Sequence, residues 1–228
     1  MSKVVGIVGS YRKRGVVIAA VEAVLAGARE NGADTHLFSL AECNLNYCNN
    51  CRKCSQEPGQ ERGRCGQFDD LESILREVEE ADSVVLASSV NYGGVTAVFR
   101  KFMERLTGFY YWPWGQPLPQ LRQLPTRKAV LVASSGMPGL FIPLFTDARR
   151  ALRRTASMLG AKPVSTLWLG RYGWRLDCRL LEHDAERARD VGRRLGVESS
   201  KASTVSLGDE AVSNGIQHPV EEVDGLGR

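Results

Sequence analysis

The sequence predicts an α/β protein in which one open parallel β-sheet carries helices on both faces. Five short apolar runs rich in β-branched residues alternate with five segments of helical periodicity along 228 residues. This alternation is typical of parallel strands joined by right-handed helical crossovers. With 43% hydrophobic residues, a chain of this length can form one sizeable domain.

The first half of the chain contains two predicted strands and two predicted helices. Residues 4–8 form a short apolar, β-branched run, as buried parallel strands do, and residues 35–40 give the second strand. Between them, apolar residues recur with helical spacing over residues 16–30, and Gly32 ends that helix. Asp69 and Asp70 are typical of a helix N-cap and first turn, so a second helix is predicted to run to residue 80.

The second half repeats the same alternation. Strands are predicted at residues 83–88, 128–134 and 164–169, and helices at residues 96–106, 143–159 and 181–195. Residues 108–125 are rich in proline and aromatic residues, which favours a subunit interface or a platform for a flat ligand, with a lid over the core as the alternative. Residues 1–197 are predicted to form the domain. Residues 198–228, rich in Ser, Gly, Asp and Glu, predict a flexible tail or an arm that orders against a partner.

Charge and hydropathy disfavour several classes of function. The formal net charge is +4, and the arginines of residues 149–154 and 171–194 are interpreted mainly as solvated helix faces. A nucleic-acid surface needs a denser basic stripe with interleaved aromatics, so no nucleic-acid partner is expected. No run is long enough to cross a membrane and the N-terminus lacks a signal-peptide pattern, so we expect no membrane association and a cytoplasmic location. In that compartment, cysteines remain thiols or metal ligands rather than disulfides.

Four cysteines lie in an insertion, residues 41–67, that follows the second predicted strand. Cys48, Cys51 and Cys54 are each separated by two residues, and Cys65 follows after ten more. A C-x2-C-x2-C run with a remote fourth cysteine is the spacing of an iron–sulfur ligand set, here predicted as one 4Fe-4S cluster. Zinc, which more often uses two separated C-x2-C pairs, and disulfides are the alternatives. The two remaining cysteines, Cys43 and Cys178, are expected to be ordinary thiols.

Three loops follow strands of the predicted sheet, where ligands bind in open parallel sheets. Residues 9–15 offer backbone amides, a hydroxyl, three cations and a helix N-terminus, which suit a phosphate, although a solvated turn is the alternative. Residues 88–94 contain small residues and two glycines, which either admit a flat ligand or form a simple tight turn. The amides of residues 134–139 can hold the polar edge of a ring.

The order of these segments resembles the flavodoxin-like NAD(P)H-dependent FMN reductases, and especially their iron–sulfur flavoprotein branch. Gly9-Ser10-Tyr11-Arg12 is similar to that family's G-S-x-R phosphate loop. The cysteine run followed by Asp69-Asp70 resembles its cysteine segment and helix start. Residues 88–92 and the stretch 100–105 resemble its S-P-V-Y-F loop and its K-x-F-x-D-R helix end. The resemblance covers residues 3–170.

The chain departs from the family pattern at several of these positions. Val16 and Val17 stand where relatives usually carry Ser or Asn and then Thr, whose side chains donate to the phosphate. Ser89 replaces the loop proline, Asn91 replaces its aromatic residue, and Glu104 replaces the aspartate of the helix. Phosphate binding is therefore expected to depend on Ser10, on arginines and on backbone amides.

The resemblance implies a doubly wound, flavodoxin-like sheet of five parallel strands in the order 2-1-3-4-5, with the cysteine-rich insertion after strand 2. It implies FMN as cofactor, NAD(P)H as co-substrate and a 4Fe-4S cluster on Cys48, Cys51, Cys54 and Cys65. The residues that it places at FMN are Ser10, Arg12, Arg14, Val16, Val17, Ser89, Val90, Asn91, Tyr92, Gly93, Gly94, Ser135 and Gly136.

The function implied by the resemblance is that of an FMN-dependent NAD(P)H oxidoreductase. The flavin performs the redox chemistry, so no side chain is expected to be an essential acid, base or nucleophile. Electrons are expected to pass to a quinone, a flavin, a metal or a redox protein, in part through the cluster. Alternatives are a flavin electron carrier with little NAD(P)H activity and a zinc-stabilised, non-enzymatic module. A homodimer or homotetramer is expected, with the aromatic loop near the flavin.

Overall fold

A computed structural model describes residues 2–122, 124–174 and 179–196 of the chain. The predicted tail at residues 198–228 and the predicted free thiol Cys178 lie outside the described residues. Five parallel strands form the main sheet: β1 (Lys3–Gly9), β2 (Asp34–Ser39), β3 (Ser83–Asn91), β7 (Arg127–Ser134) and β8 (Ala161–Leu169). Three two-residue strands complete the β-structure, namely β4 (Gly94–Val95), β5 (Tyr110–Tyr111) and β6 (Gln120–Leu121).

The parallel strands lie side by side in the order β2-β1-β3-β7-β8. Counted among parallel strands alone, this is the order 2-1-3-4-5, which confirms the fold predicted from the sequence. The short strand β4 pairs antiparallel with the end of β3, and β5 pairs with β6 as a separate antiparallel ribbon. The sheet order reverses between β1 and β3, so the loops after these two strands diverge and leave a crevice at their carboxyl ends.

In the part of the chain that the structure describes, six α-helices cover the two faces of the sheet. They are α1 (Val16–Glu30), α2 (Leu71–Glu80), α3 (Ala97–Glu104), α4 (Ile142–Phe145), α5 (Ala148–Met158) and α6 (Glu182–Gly196). Alternate strand residues point to opposite faces. Val5 and Ile7 therefore join the core beneath α2, α3 and α5, whereas Val4 and Val8 join the core beneath α1. None of the described helices has the length and apolar character needed to span a membrane.

The single helix predicted over residues 143–159 is wrong, because the chain leaves helical geometry at Thr146. This residue is extended, with φ −135° and ψ 153°, and separates α4 from α5. Its hydroxyl donates to the carbonyl of Ile142 at 2.6 Å, and the amide of Asp147 donates to the carbonyl of Gly93 at 2.7 Å. A tertiary hydrogen bond to the β3–β4 turn thus decides where α5 begins.

Helices α1 and α6 pack with their backbones in direct contact. A Cβ added at Gly27 would lie 1.9 Å from the carbonyl oxygen of Arg189, and one added at Gly192 would lie 1.8 Å from that of Val24. Both glycines are therefore required by close approach of the two helices. This contact fixes α6 on the helix whose N-terminus faces the carboxyl edge of the sheet.

Candidate functional site

A cavity of about 300 Å³ opens at the carboxyl edge of the sheet, where the loops after four parallel strands meet. Its lining comes from the end of β3 and from the segments at or after the carboxyl ends of β1, β7 and β8, which are far apart in sequence. The lining residues are Ser10, Tyr11, Arg12, Gly15, Val16, Val17, Ser89, Val90, Asn91, Ser134, Ser135, Gly136, Tyr172 and Gly173. We call this the sheet-edge cavity.

The loop between β1 and α1 supplies an anion-binding end of the sheet-edge cavity. Gly15 occupies the N-cap of α1 and has no side chain with which to cap the helix, and the first turn of α1 contains no acidic residue. The first amides of α1 are therefore available to an anion, which the helix dipole also favours. Val16 and Val17 are buried in the core, so these two predicted site residues can contribute only backbone amides.

Buried hydroxyl groups hold this loop against the next strand. Thr96 Oγ1 donates to the carbonyl of Gly9 at 2.9 Å, and the amide of Thr96 donates to Ser88 Oγ at 3.1 Å. At the mouth of the network, Ser89 Oγ donates to Ser10 Oγ at 3.4 Å, and Ser10 is itself buried. The loops after β1 and β3 are consequently fixed relative to each other before any ligand binds.

The structure brings most of the predicted FMN residues together but leaves four outside the lining. Arg14, Tyr92, Gly93 and Gly94 do not line the sheet-edge cavity. The segment predicted as a loop over residues 88–94 is largely strand, because β3 continues to Asn91 and pairs with β4. The turn between them places Tyr92 (φ 46°) and Gly93 (φ 75°) at its tip, where they line a second cavity.

Sequence reasoning missed the segment that follows β8. Tyr172 and Gly173 line the sheet-edge cavity, and the amide of Tyr172 donates to the carbonyl of Ser135 at 3.2 Å. Tyr172 Oη donates to Asp184 Oδ2 at 2.6 Å, which ties this segment to α6. A Cβ on Gly173 would approach Gly136 Cα to 2.9 Å. The position of this segment in the sequence could have indicated its role, because it follows a strand whose carboxyl end lies at the same edge of the sheet.

The four predicted cluster cysteines line one small cavity in the insertion. We call it the cysteine cavity; its lining is Cys48, Asn49, Asn50, Cys51, Arg52, Cys54, Cys65, Gln67, Glu104, Arg105 and Thr107. Within the described ranges, no three Cys, His, Asp or Glu side chains already stand in an arrangement that could hold a metal ion. The thiols nevertheless affect one another, since burial, then Cys65, Cys48 and Cys51, raise the pKa of Cys54 to about 11. Bound cationic metal would reverse this effect and favour the thiolates.

Two arginines of the cysteine cavity carry unsatisfied buried donors. Across the described part of the chain, Arg52 Nε and Arg105 Nε are the two buried side-chain polar atoms without a hydrogen-bond partner. Arg105 Nη2 also donates to Cys65 Sγ at 3.5 Å. Buried donors normally have acceptors, so two orphaned N–H groups beside four thiols suit an anionic, sulfur-bearing group such as a thiolate-ligated cluster. The donor set and these atoms fit an iron–sulfur cluster.

The insertion is anchored to the domain through two aspartates. Asp69 accepts hydrogen bonds from the amides of Leu71 at 3.1 Å and Asn46 at 2.8 Å, and it pairs with Arg105 at 2.5 Å. Asp69 thus caps α2 with its side chain, whereas Asp70, at the N-cap position, accepts from the amide of Asn44 at 2.7 Å. The predicted start of this helix at Asp69-Asp70 is confirmed. The carboxylates of these two residues also hold the chain that leads to Cys48.

Aromatic residues of the segment 108–125 cover the insertion. The Arg52 guanidinium lies between two indoles, 3.9 Å from the Trp112 ring centre and 4.3 Å from that of Trp114. Arg52 Nη2 donates to the carbonyl of Trp112 at 2.6 Å, and the amide of Gly63 donates to the carbonyl of Gly108 at 2.9 Å. Two aromatics of the predicted interface or platform therefore bind a residue from within the cysteine run.

Comparisons with known proteins agree with this architecture. The sequence pattern of the family described as NADPH-dependent FMN reductase matches residues 2–171. The chain is 39% identical over 103 residues to an iron-sulfur flavoprotein of Methanocaldococcus jannaschii, a match covering 45% of this chain and 51% of that protein. It is 35% identical over 136 residues to an iron-sulfur flavoprotein of Archaeoglobus fulgidus, covering 60% and 57%. These matches span about half the length of the curated relatives.

Solved structures show the same fold at low sequence identity. The NAD(P)H:quinone oxidoreductase of Methanothermobacter marburgensis superposes with a TM-score of 0.61 at 21% identity, covering 86% of this chain and 96% of that one. An FMN-dependent NADH-azoreductase of Bacillus anthracis, solved with FMN, gives a TM-score of 0.62 at 12% identity, covering 86% and 100%.

Proposed function

Because the chain belongs to the NADPH-dependent FMN reductase family, we propose that it is an FMN-dependent NAD(P)H oxidoreductase whose flavin binds in the sheet-edge cavity. The observation that carries this proposal is the meeting of four strand-end loops around one crevice beside the uncapped N-terminus of α1. An FMN-bound azoreductase with the same fold supports it. Bound FMN supplies hydride and single-electron chemistry, so the chain has only to bind and orient it.

Each loop has a distinct role in this assignment. Ser10, Arg12 and the first amides of α1 hold the phosphate, where positive charge and free N–H groups coincide. Ser89, Val90 and Asn91 would contact the ring from β3, and the segments containing Ser135-Gly136 and Tyr172-Gly173 line other parts of the crevice. Four further predictions, Arg14, Tyr92, Gly93 and Gly94, remain at the margin of the site, since none of them lines the cavity.

Anaerobic reduction of the flavin tests the proposed activity directly. Protein reconstituted with FMN should lose its flavin absorbance when NADPH or NADH is added, and should regain it with a quinone or free flavin as acceptor. Flavin that stays oxidised with both nucleotides but is reduced by dithionite would contradict NAD(P)H oxidoreductase activity. That result would favour the alternative of a flavin electron carrier. A quinone, flavin, metal or redox-protein acceptor, a homodimer or homotetramer and a cytoplasmic location belong to the same proposal.

Replacing Arg12 with alanine should weaken FMN binding without unfolding the protein. Loss of a charge-assisted phosphate contact costs about 1.5–3 kcal/mol, equivalent to a rise in Kd of roughly 10- to 150-fold. Fluorescence titration of apoprotein with FMN gives this value. Lys13→Ala is the matched control, because Lys13 lies in the same loop, pairs with Glu42 at 2.8 Å and is outside the cavity lining. Equal FMN affinity in the two variants would show that this loop does not hold the phosphate.

The proposal includes one 4Fe-4S cluster on Cys48, Cys51, Cys54 and Cys65. The shared cavity of the four thiols, the orphaned Nε atoms of two arginines and the names of the iron-sulfur relatives support it over zinc. When bound, such a cluster accepts one electron at a time. The positive charges of buried Arg105 and half-buried Arg52 would stabilise its negative charge.

Substitution of Cys51 with serine should remove iron while FMN remains. Protein purified without oxygen should contain about four iron and four sulfide per chain, and Cys51→Ser should contain almost none, because a missing thiolate destabilises the whole cluster. Cys43→Ser is the control: Cys43 donates to the carbonyl of Ser39 at 3.3 Å and does not line the cysteine cavity. Iron and sulfide analysis with the FMN spectrum measures all three proteins. Wild-type protein that carries zinc and no sulfide would contradict the cluster.

A further inference from the structure

A second cavity, of about 950 Å³, lies between the tip of the β3–β4 hairpin and the segment α4–α5. We call it the arginine cavity. Its lining residues are Tyr92, Gly93, Pro143, Leu144, Phe145, Thr146, Asp147, Arg149, Arg150, Arg153 and Arg154. Its four arginines line neither the cysteine cavity nor the sheet-edge cavity.

The pattern of α5 presents these arginines together. Ala148, Ala151, Leu152, Thr155 and Ala156 are buried against the sheet, so the four intervening arginines face away from it. Arg149 and Arg153 are four residues apart, as are Arg150 and Arg154, and residues at this spacing are neighbours on a helix surface. Like charges at this spacing destabilise a helix, so the arrangement is unfavourable until an anion joins it.

None of these four arginines forms an ion pair within the described residues, and one carboxylate, Asp147, shares the cavity lining. Helix α6 shows the contrast. There Arg187 pairs with Asp184 at 3.0 Å, and Arg193 contacts Glu30, Glu186 and Asp190. A helix face that is merely solvated usually intersperses both signs in this way. The arginine cavity instead concentrates positive charge, which attracts and holds a multiply charged anion.

Three exposed side chains, Tyr92, Leu144 and Phe145, add aromatic and aliphatic surface to the lining. Tyr92 is fully accessible at the hairpin tip, and Leu144 and Phe145 expose 66% and 70% of their surfaces. Exposed aromatic and aliphatic surface beside unpaired guanidinium groups suits a ligand with both a flat ring and phosphates. A nucleotide has this chemistry, whereas an inorganic anion would leave the apolar part unused.

The arginine cavity and the sheet-edge cavity are lined by neighbouring residues of the β3–β4 hairpin. Asn91 lines the latter, and the next two residues, Tyr92 and Gly93, line the former. The hydrogen bond from the amide of Asp147 to the carbonyl of Gly93, at 2.7 Å, fixes the start of α5 to this hairpin. A dinucleotide whose one ring lies over the flavin can therefore extend its other half towards α5.

We propose that the arginine cavity binds the adenosine half of NADPH, and that its arginines select NADPH over NADH by contacting the 2′-phosphate. This inference rests on the proposed function, because it needs a nicotinamide delivered to the flavin. Guanidinium groups bind phosphate through two parallel hydrogen bonds, and NADPH differs from NADH only in this additional phosphate. The preference for NADPH thus resides in α5, outside the loops that hold FMN.

Two double variants test the assignment: Arg149→Gln with Arg153→Gln, and Arg150→Gln with Arg154→Gln. Glutamine has a helix propensity close to that of arginine and keeps a polar side chain while removing the charge. At least one of them should raise the Kd of the FMN-loaded protein for 2′,5′-ADP by tenfold or more, and raise KM for NADPH similarly. Binding of 5′-AMP, KM for NADH and FMN affinity should change less than threefold. Arg76→Gln, at an exposed arginine of α2, should leave all five values unchanged.

The outcomes separate this inference from the proposed function. If both double variants keep the wild-type affinity for 2′,5′-ADP and the wild-type ratio of NADPH to NADH activity, the inference is wrong. The proposed oxidoreductase activity is not contradicted by that result. If neither nucleotide reduces the flavin but 2′,5′-ADP still binds in an arginine-dependent way, the proposed function fails and the nucleotide site stands. Tripolyphosphate that binds wild-type protein as tightly as 2′,5′-ADP would overturn the site, because it would show attraction for any polyanion.

Discussion

Arg105→Ala should lower the free energy of unfolding by about 3–5 kcal/mol, the usual cost of leaving one partner of a buried ion pair alone. The side chains of Arg105 and Asp69 are both 0% exposed and meet at 2.5 Å. Arg105 Nη1 also donates to the carbonyl of Asn46 at 2.7 Å. Alanine therefore leaves the buried Asp69 carboxylate without its cation and the Asn46 carbonyl without its donor, and it loosens the chain that leads to the cysteine cavity.

Urea unfolding followed by circular dichroism measures this loss. Arg193→Ala is the matched control, because Arg193 also forms several ion pairs but on an exposed helix face, where such pairs contribute little. Arg105→Met combined with Asp69→Asn should recover part of the loss, since no buried charge is then left unpaired. A single Arg105→Ala variant as stable as the control would show that the pair is not buried in solution.

The same pair predicts how stability depends on pH. Burial by itself raises the pKa of Asp69, but hydrogen bonds from Arg105 and from the amides of Asn46 and Leu71 outweigh it and hold the pKa below the ordinary 3.8. A carboxyl group with a lowered folded-state pKa stabilises the fold above its unfolded-state pKa. That contribution is lost as the pH falls from about 3.8 through the folded-state value. In the Arg105→Ala variant, the free energy of unfolding should therefore fall less steeply as the pH drops below about 3.8.

Gly192→Leu should destabilise the fold by about 3 kcal/mol, near the upper end for overpacking. In an isolated helix the change would be favourable, because leucine has the higher helix propensity. Here the new Cβ would lie 1.8 Å from the carbonyl oxygen of Val24, a backbone atom of α1 that cannot rotate away. Helix α6 must therefore move off α1, which exposes Ala188 and Leu195 of the core beneath it.

Thermal unfolding of the FMN-free and FMN-loaded proteins measures the effect of Gly192→Leu. FMN should stabilise the variant less than the wild type, because displacing α6 disturbs its link to Tyr172 in the sheet-edge cavity. Gly66→Leu is the control, since nothing lies within 4 Å of a Cβ at that position and its φ is not positive. A Gly192→Leu protein as stable as Gly66→Leu would mean that the helices separate without cost.

The central strands β1, β3 and β7 were predictable because each is an apolar run that is buried along most of its length. The edge strands β2 and β8 are only partly buried, and their alternation with helices is what indicated them. The order of strands came from the resemblance to a family and was confirmed. The helix over residues 143–159 was not predicted correctly, because Thr146 carries no strong local stop signal. Its break depends on the hydrogen bond between Asp147 and Gly93, which are far apart in sequence. Local periodicity contains no information on such a partner.

The candidate sites were predictable to the extent that their residues are contiguous. The spacing of the cysteines indicated a shared centre, and the four thiols line one cavity. Residues 9–15 indicated an anion loop, and Ser10, Tyr11, Arg12 and Gly15 of that loop line the sheet-edge cavity. Arg105 ends the stretch 100–105 that resembles the family's helix end, but nothing local connects this arginine with the cysteines. Tyr172 was missed, because it reaches its site from an element far along the chain and no local pattern distinguishes it from an ordinary tyrosine.

The anchoring of the cysteine insertion has a consequence for how the site is loaded. Contacts of Arg52 with Trp112 and Trp114, and of Asp69 with Asn46, order the segment through the polypeptide alone. Much of the conformational entropy of the insertion is thus lost when the domain folds, so binding of the proposed cluster has only to bring the thiol groups into a ligating arrangement. Zinc fingers behave in the opposite way, since metal binding itself drives their folding. If the proposed cluster is present, chelation should therefore remove its iron while the domain keeps its melting temperature within a few degrees.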